Sequence, residues 1–119
     1  EYAQIYPNLA NYVENNWGLF NIYWSSDNVL NHGHMYVDSQ RANAQEQMHL
    51  LREELTQSLG LGKDSEKYPN SIFQSYWTQT TEYLPIDREL IRLLYHPEMK
   101  IGLNNIAVEE LLIDILQNE

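Results

Sequence analysis

The apolar positions of this chain change period along its length, and each change marks a structural element. From Trp17 to Trp24 the run Trp-Gly-Leu-Phe-Asn-Ile-Tyr-Trp is dense in aromatic and β-branched side chains and predicts a strand. Ser25-Ser26-Asp27-Asn28 signals a turn, and the alternation over His34-Met35-Tyr36-Val37-Asp38 predicts a second strand. From about Arg41 to Leu59 the spacing becomes helical. Ala44, Met48, Leu51, Leu55 and Leu59 recur every three or four residues and share one face, and Gly60 stands where a left-handed C-terminal cap ends such a helix. Pro7 and Pro85 suit first helical turns, the first running to Val13 and the second to Tyr95, where His96-Pro97 stops it. A last helix over Ile106 to Gln117 puts Val108, Leu111, Leu112 and Ile115 on one side. Residues 62–84 keep no period and read as an ordered loop, and a loop of that length in a compact domain usually has a function.

These elements predict an α+β fold with a small sheet packed on the 41–59 helix and a C-terminal helical half. Trp17, Phe20, Tyr23, Trp24 and Phe73 are the aromatic candidates for its core. A length of 119 residues suits one domain, taken as 1–119, and 43% hydrophobic residues suit a folded one. The chain begins at Glu1 without an initiator Met, as a processed chain or the C-terminal part of a longer one does; no targeting segment is visible.

Charge narrows the partners. Seventeen acidic residues against seven basic ones give a net charge of −10, which repels phosphate backbones and anionic membrane surfaces, so nucleic acid is not an expected partner. Solubility explains that charge without any ligand; recognition of a basic ligand is the functional alternative. The absence of cysteine excludes disulfides, thiolate zinc sites and a cysteine nucleophile within the chain. No apolar run approaches the roughly 20 residues of a membrane span.

The stretch Glu53-Glu54-Leu55-Thr56-Gln57-Ser58-Leu59-Gly60-Leu61-Gly62-Lys63 carries the candidate chemistry. Zincin proteases place His-Glu-x-x-His on a helix, because side chains at i and i+4 can hold one metal while the Glu activates its water; metzincins extend the motif by x-x-Gly-x-x-His. In that frame the ligand positions fall on Glu53, Gln57 and Lys63, the general base on Glu54 and the turn glycine on Gly60, so only the last two match. Ser58-Leu59-Gly60-Leu61 resembles the Ala-Leu-Gly-Leu stretch of matrixin-like enzymes. Ser71-Ile72-Phe73 stands where they have a Ser-Val-Met type Met-turn, with Phe73 in place of methionine. The helix from Leu84 through Asp87, Ile91, Leu94 and Tyr95 is similar to their closing helix. A further resemblance is to an uncharacterised bacterial domain family marked by Arg-Glu-Glu-x-x-Gln-x-Leu-Gly-Leu, Ser-Ile-Phe and Asp-x-x-x-Ile/Leu-x-x-Leu-Tyr, matched here by 52–61, 71–73 and 87–95.

The resemblance implies a zincin-like domain with substituted metal ligands, set in the cell envelope or secreted, with residues 34–38 as the edge strand beside an extended ligand. Zinc favours Cys, His and carboxylate, so Glu53 is acceptable, Gln57 is poor and a protonated Lys63 repels the cation. No cofactor is therefore expected; zinc belongs only to an alternative in which His49 and Glu53, at i and i+4, join His34 from the neighbouring strand. His32 and His34 share a strand face by their spacing, which surface histidines do equally well without a metal. Glu53 and Glu54 point about 100° apart on a helix and do not naturally converge as an acid–base pair. The row with Arg52 suits instead a hydrogen-bonded network joining helix to loop, through Lys63 or backbone amides. In the loop, Tyr76, Trp77 and Tyr83 are candidate binding aromatics, with core packing as the plain alternative. The expected function is a non-catalytic module binding peptide, protein or glycan in the remnant cleft. An active metallopeptidase or other hydrolase using Glu54 is the alternative, and a structural segment of a larger envelope protein is a third.

Overall fold

The computed structural model describes residues 2–119. Its order is α1 (Tyr2–Ile5), a 3-10 turn (Pro7–Leu9), α2 (Ala10–Asn15), β1 (Gly18–Trp24), β2 (Leu30–Val37), α3 (Ala44–Ser58), α4 (Pro85–Leu94) and α5 (Asn105–Asn118). The strands pair antiparallel from Gly18 opposite Val37 to Trp24 opposite Leu30, with an irregularity between Tyr23 and Trp24. The predicted α+β class, with a small sheet against the 41–59 helix, is what forms; β2 starts four residues before the predicted His34 because pairing with β1 continues to the turn. Asn28 takes a positive φ of 65° in that turn, a conformation Asn tolerates better than most residues.

Helix α3 begins with a reciprocal cap: Asn43 Oδ1 accepts from Glu46 N at 3.0 Å and Glu46 Oε2 accepts from Asn43 N at 2.8 Å. That cap contributes about 1 kcal/mol to the helix start. Its end is at Gly60, whose φ of 112° and N–H bond to Gln57 O realise the predicted turn.

The face α3 turns inward is not the predicted one. His49, Leu50, Glu54, Thr56 and Gln57 are buried, while Met48, Leu51, Leu55 and Leu59 remain exposed, Met48 by 58%. Polar residues tolerate this burial because most find partners: Thr56 Oγ1 bonds Arg52 O at 2.6 Å and meets Tyr83 OH at 2.7 Å. The molecule is also flat and open. Its radius of gyration is 16.0 Å, against about 13.5 Å for a compact chain of this length, and its shortest dimension is 19 Å, two layers at most. Nothing in those two layers covers the Met48–Leu59 stripe. For the same reason Tyr23 and Trp24 lie outside the core, Trp24 at 61% exposure, and only Phe73 of the five expected aromatics is fully buried.

The core lies instead where α3 meets the long loop: Leu50, Ile72 and Phe73, with Leu93 and Ile115 from α4 and α5. Residues 62–84 form no helix; Ser65 bridges to Gln74, with Ser65 N bonding Phe73 O at 2.7 Å. Asp87, 0% exposed, fastens that loop to α4. Its carboxylate accepts from Ser71 Oγ at 2.5 Å, Ile72 N at 3.1 Å and Leu84 N at 2.8 Å. The Ser-Ile-Phe and Asp-x-x-x-Ile-x-x-Leu-Tyr motifs are thus two halves of one clip. Tyr95 then reaches back to Leu59 O at 2.9 Å, joining the end of α4 to the end of α3.

Candidate functional site: an acidic cleft between the first strand and the central helix

An open cleft of about 520 Å³ runs between the entry to β1 and α3, lined by Asn15, Asn16, Trp17, Gly18, Glu46, Leu50, Glu53, Glu54 and Trp77. Its strand wall is held by Arg41. Arg41 Nη1 donates to Glu14 O at 2.7 Å and Nη2 to Val13 O and Asn16 O, while Nε is fixed on Asp38 Oδ2 at 2.5 Å. The backbone and side-chain donors of Arg41 hold the Asp38 carboxyl well below the usual carboxylate range. The segment before Trp17 is therefore clamped through its carbonyls, and the Arg41 guanidinium lies 6.0 Å from the Trp17 ring centre. Trp17, expected in the core, is a half-buried wall of the cleft.

Glu54 forms the floor. It is 6% exposed, yet among the described residues no hydrogen bond reaches its carboxyl. Burial, and then the negative charges of Glu53 and Asp64, raise its pKa to about 8, with His49 opposing them, so it keeps its proton at neutral pH. The strand approaches here through Gly18: a Cβ at that position would stand 2.4 Å from Glu54 Oε1 and 2.9 Å from Leu50 Cδ2. A glycine inside a strand pattern is the one sequence signal that marks this close approach. Tyr2, whose buried hydroxyl has no partner among the described residues, feels the same carboxyl: burial and the Glu54 charge both raise its pKa.

On the next face of α3, His49 Nδ1 donates to Thr80 O at 2.6 Å and Nε2 stands 3.3 Å from Glu53 Oε2. Burial works against its protonation, but Glu53 and Thr80 outweigh it and the pKa is raised. Trp77 packs edge-on against both His49 and Trp17, at 5.6 and 5.7 Å between ring centres, so the two indoles meet at 80° over the carboxyls.

The predicted site residues separate. Glu53, Glu54 and Trp77 line the cleft. Gln57 lies further along α3 and donates to Asp64 Oδ1 at 2.8 Å, one helix-to-loop bond in place of the expected network through Lys63 or backbone amides, whose links do not form among the described residues. Lys63 is exposed and makes no ion pair among the described residues; in the irregular turn after Gly60 it is the next residue that faces the helix. Arg52 also lies outside the network, stacked 4.9 Å from the Tyr83 ring centre and 3.8 Å from Glu82. Tyr83 packs on α3 through Thr56, and Tyr76 projects to solvent; neither lines the cleft. His34 does not join His49 and Glu53, because β2 directs it to Tyr6, whose hydroxyl bonds His34 Nδ1, and to Tyr23 and His32. His32 and His34 do share a face, 5.8 Å apart.

The residues present do not fit a zinc ion. Gln57 offers only a neutral amide oxygen, a poor zinc ligand, and no three His, Asp or Glu side chains among the described residues are arranged to hold a metal. Loss of the Gln57 link is expected to be structural in effect. Gln57→Ala should lower the urea midpoint by the equivalent of about 1 kcal/mol, since it removes a hydrogen bond made by a buried side chain to the exposed Asp64 carboxyl. An unchanged midpoint would show that the bond carries no stability.

No curated protein and no solved structure matches the chain. A family model does, over residues 3–114, a span that takes in the cleft, the Asp87 clip and most of α5. The chain belongs to the DUF2927 family of proteins of unknown function.

Proposed function

We propose that this is a zincin-like, metalloprotease-like domain whose metal ligands have been replaced, and that it works as a non-catalytic module binding peptide, protein or glycan in the cleft beside α3. One observation carries the reading: two indoles and an unpartnered buried carboxyl line a cleft at the height of the helix where a zincin binds its metal, while Gln57 is spent on a contact within the chain. Aromatic walls with a few polar groups are what extended ligands use, and the wall is pre-formed by the Arg41 clamp. Zinc titration by calorimetry, on protein purified without chelator, should give no stoichiometric uptake; one tightly held ion per chain would overturn the reading.

A second reading is hydrolysis with Glu54 as the proton-transferring group, favoured by its pKa of about 8 inside a cleft. It predicts a measurable peptidase or glycosidase activity that Glu54→Gln abolishes with the fold intact. If wild-type protein shows no turnover across a peptide and glycan panel, that reading falls.

A further inference from the structure

We propose that the cleft is built for a cationic side chain: a peptide lysine or arginine packs into the corner where Trp17 and Trp77 meet and sets its ammonium or guanidinium against Glu53 and Glu54. The inference rests on the binding-module reading and names the chemistry of the ligand.

Three observations converge on it. First, among the described residues the carboxyls of the cleft meet no Lys or Arg. Glu46, Glu53 and Glu54 line it with Asp64 close behind; His49 is the one imidazole facing them, and no Lys or Arg is among the lining residues. Glu46 is occupied by the α3 cap and by Gln79 Nε2 at 3.2 Å, which leaves Glu53 and Glu54 as acceptors for a ligand. Second, Glu54 is more than nine-tenths buried as a residue, lines the cleft and makes no hydrogen bond among the described residues. A carboxyl with no donor from its own chain is free to take one from a ligand, and a cationic donor favours its ionised form. Third, the walls suit a cation. The indoles of Trp17 and Trp77 meet at 80°, forming two sides of an aromatic corner, and the ring face is the attractive side for a positive charge. Trp17 already takes the Arg41 guanidinium 6.0 Å from its ring centre. Trp77, 55% exposed at the rim, keeps surface for an incoming group.

Size and shape favour a side chain over a free ion. About 520 Å³ exceeds what a single ammonium fills and accommodates an aliphatic stem with flanking backbone. Arginine matches best, since its planar fork can stack on indole and bond two carboxyls together. The chain's net charge of −10 draws such peptides in from a distance.

The test uses three end-blocked hexapeptides that differ only at a central residue: arginine, citrulline as its neutral isostere, and glutamate. Calorimetric titration of the intact chain should show the arginine peptide binding at least about tenfold more tightly than the citrulline one, with glutamate weaker still. Glu54→Gln and Trp77→Ala should each remove about tenfold of the arginine affinity, while Trp24→Ala, an exposed indole outside the cleft, leaves it unchanged. Far-UV circular dichroism and the urea midpoint confirm that each variant folds. Equal binding of the arginine and citrulline peptides, lost on Trp77→Ala, overturns the cation inference and leaves the binding cleft standing. If no peptide binds and a chito-oligosaccharide series also fails, both the inference and the binding reading fall.

Discussion

Asp87→Ala is expected to cost about 3–5 kcal/mol of stability, the largest effect of any single substitution outside the apolar core. The carboxylate is 0% exposed and accepts from three donors that have no alternative nearby: the Ser71 hydroxyl, the Ile72 amide and the Leu84 amide. Truncation strands the Ser71 and Ile72 donors, 3% and 1% exposed, and frees the half-buried Leu84 amide. Leu84 N is the N-cap amide of α4, so the same loss removes a capping contact at the start of that helix. Ser71→Ala removes one of the three donors and the acceptor of the Phe73 amide, and should cost about 1–2 kcal/mol. Urea unfolding followed by circular dichroism distinguishes the two, and a similar small shift for both would mean that Asp87 does not clip the loop to α4.

The second large effect is on pH. Glu54 titrates near 4.5 when unfolded and at about 8 in the fold, so the native state holds a proton that the unfolded chain has already lost. A raised carboxyl pKa contributes stability that is fully present below the unfolded value and is lost as pH rises through the folded one. Stability should therefore fall between about pH 4.5 and pH 8, by on the order of 5 kcal/mol, because each step of one in pH across that window costs about 1.4 kcal/mol. Asp64, raised by burial, by Glu53 and against the Gln57 bond, acts in the same direction. Asp38, lowered by its Arg41 donors, acts oppositely: its contribution is present above the ordinary carboxylate range and is lost in acid. Glu54→Gln should flatten the neutral limb and raise the urea midpoint at pH 8, because a neutral amide occupies the same buried volume without an ionisation to suppress. A wild-type midpoint that does not change from pH 5 to pH 8 would contradict the buried, uncompensated carboxyl.

The same carboxyl explains why stability and binding should part at this site. Glu54→Gln is expected to strengthen the fold while weakening the hold on an arginine peptide, the pattern of a group placed for a ligand at a cost to the free domain. Asp87 and Gln57 behave differently, since their partners lie within the chain and their loss affects folding first.

Much of the local structure was legible in the residue pattern. The two strands, the Gly60 stop, Pro85 at the start of α4 and the last helix follow from side-chain period and from the few residues suited to caps and turns, all short-range properties. The stretch at 53–63 was legible as a helix and turn; the burial of Glu54 was not. What the chain could not declare by itself was which face of α3 turns inward. A periodic stripe of Met48, Leu51, Leu55 and Leu59 is apolar in any environment, but burial depends on what the rest of the fold brings against it, and two layers bring nothing there. The polar face goes inward because the loop from 62 to 84 arrives with matching partners, Asp64 for Gln57, Thr80 for His49 and Tyr83 for Thr56, at separations of 7 to 31 residues that no local pattern encodes. The cleft is tertiary in the same sense. Trp17, Gly18, Glu54 and Trp77 come from a strand entry, a helix and a loop, and only their packing makes of them an aromatic corner over an unpaired carboxyl.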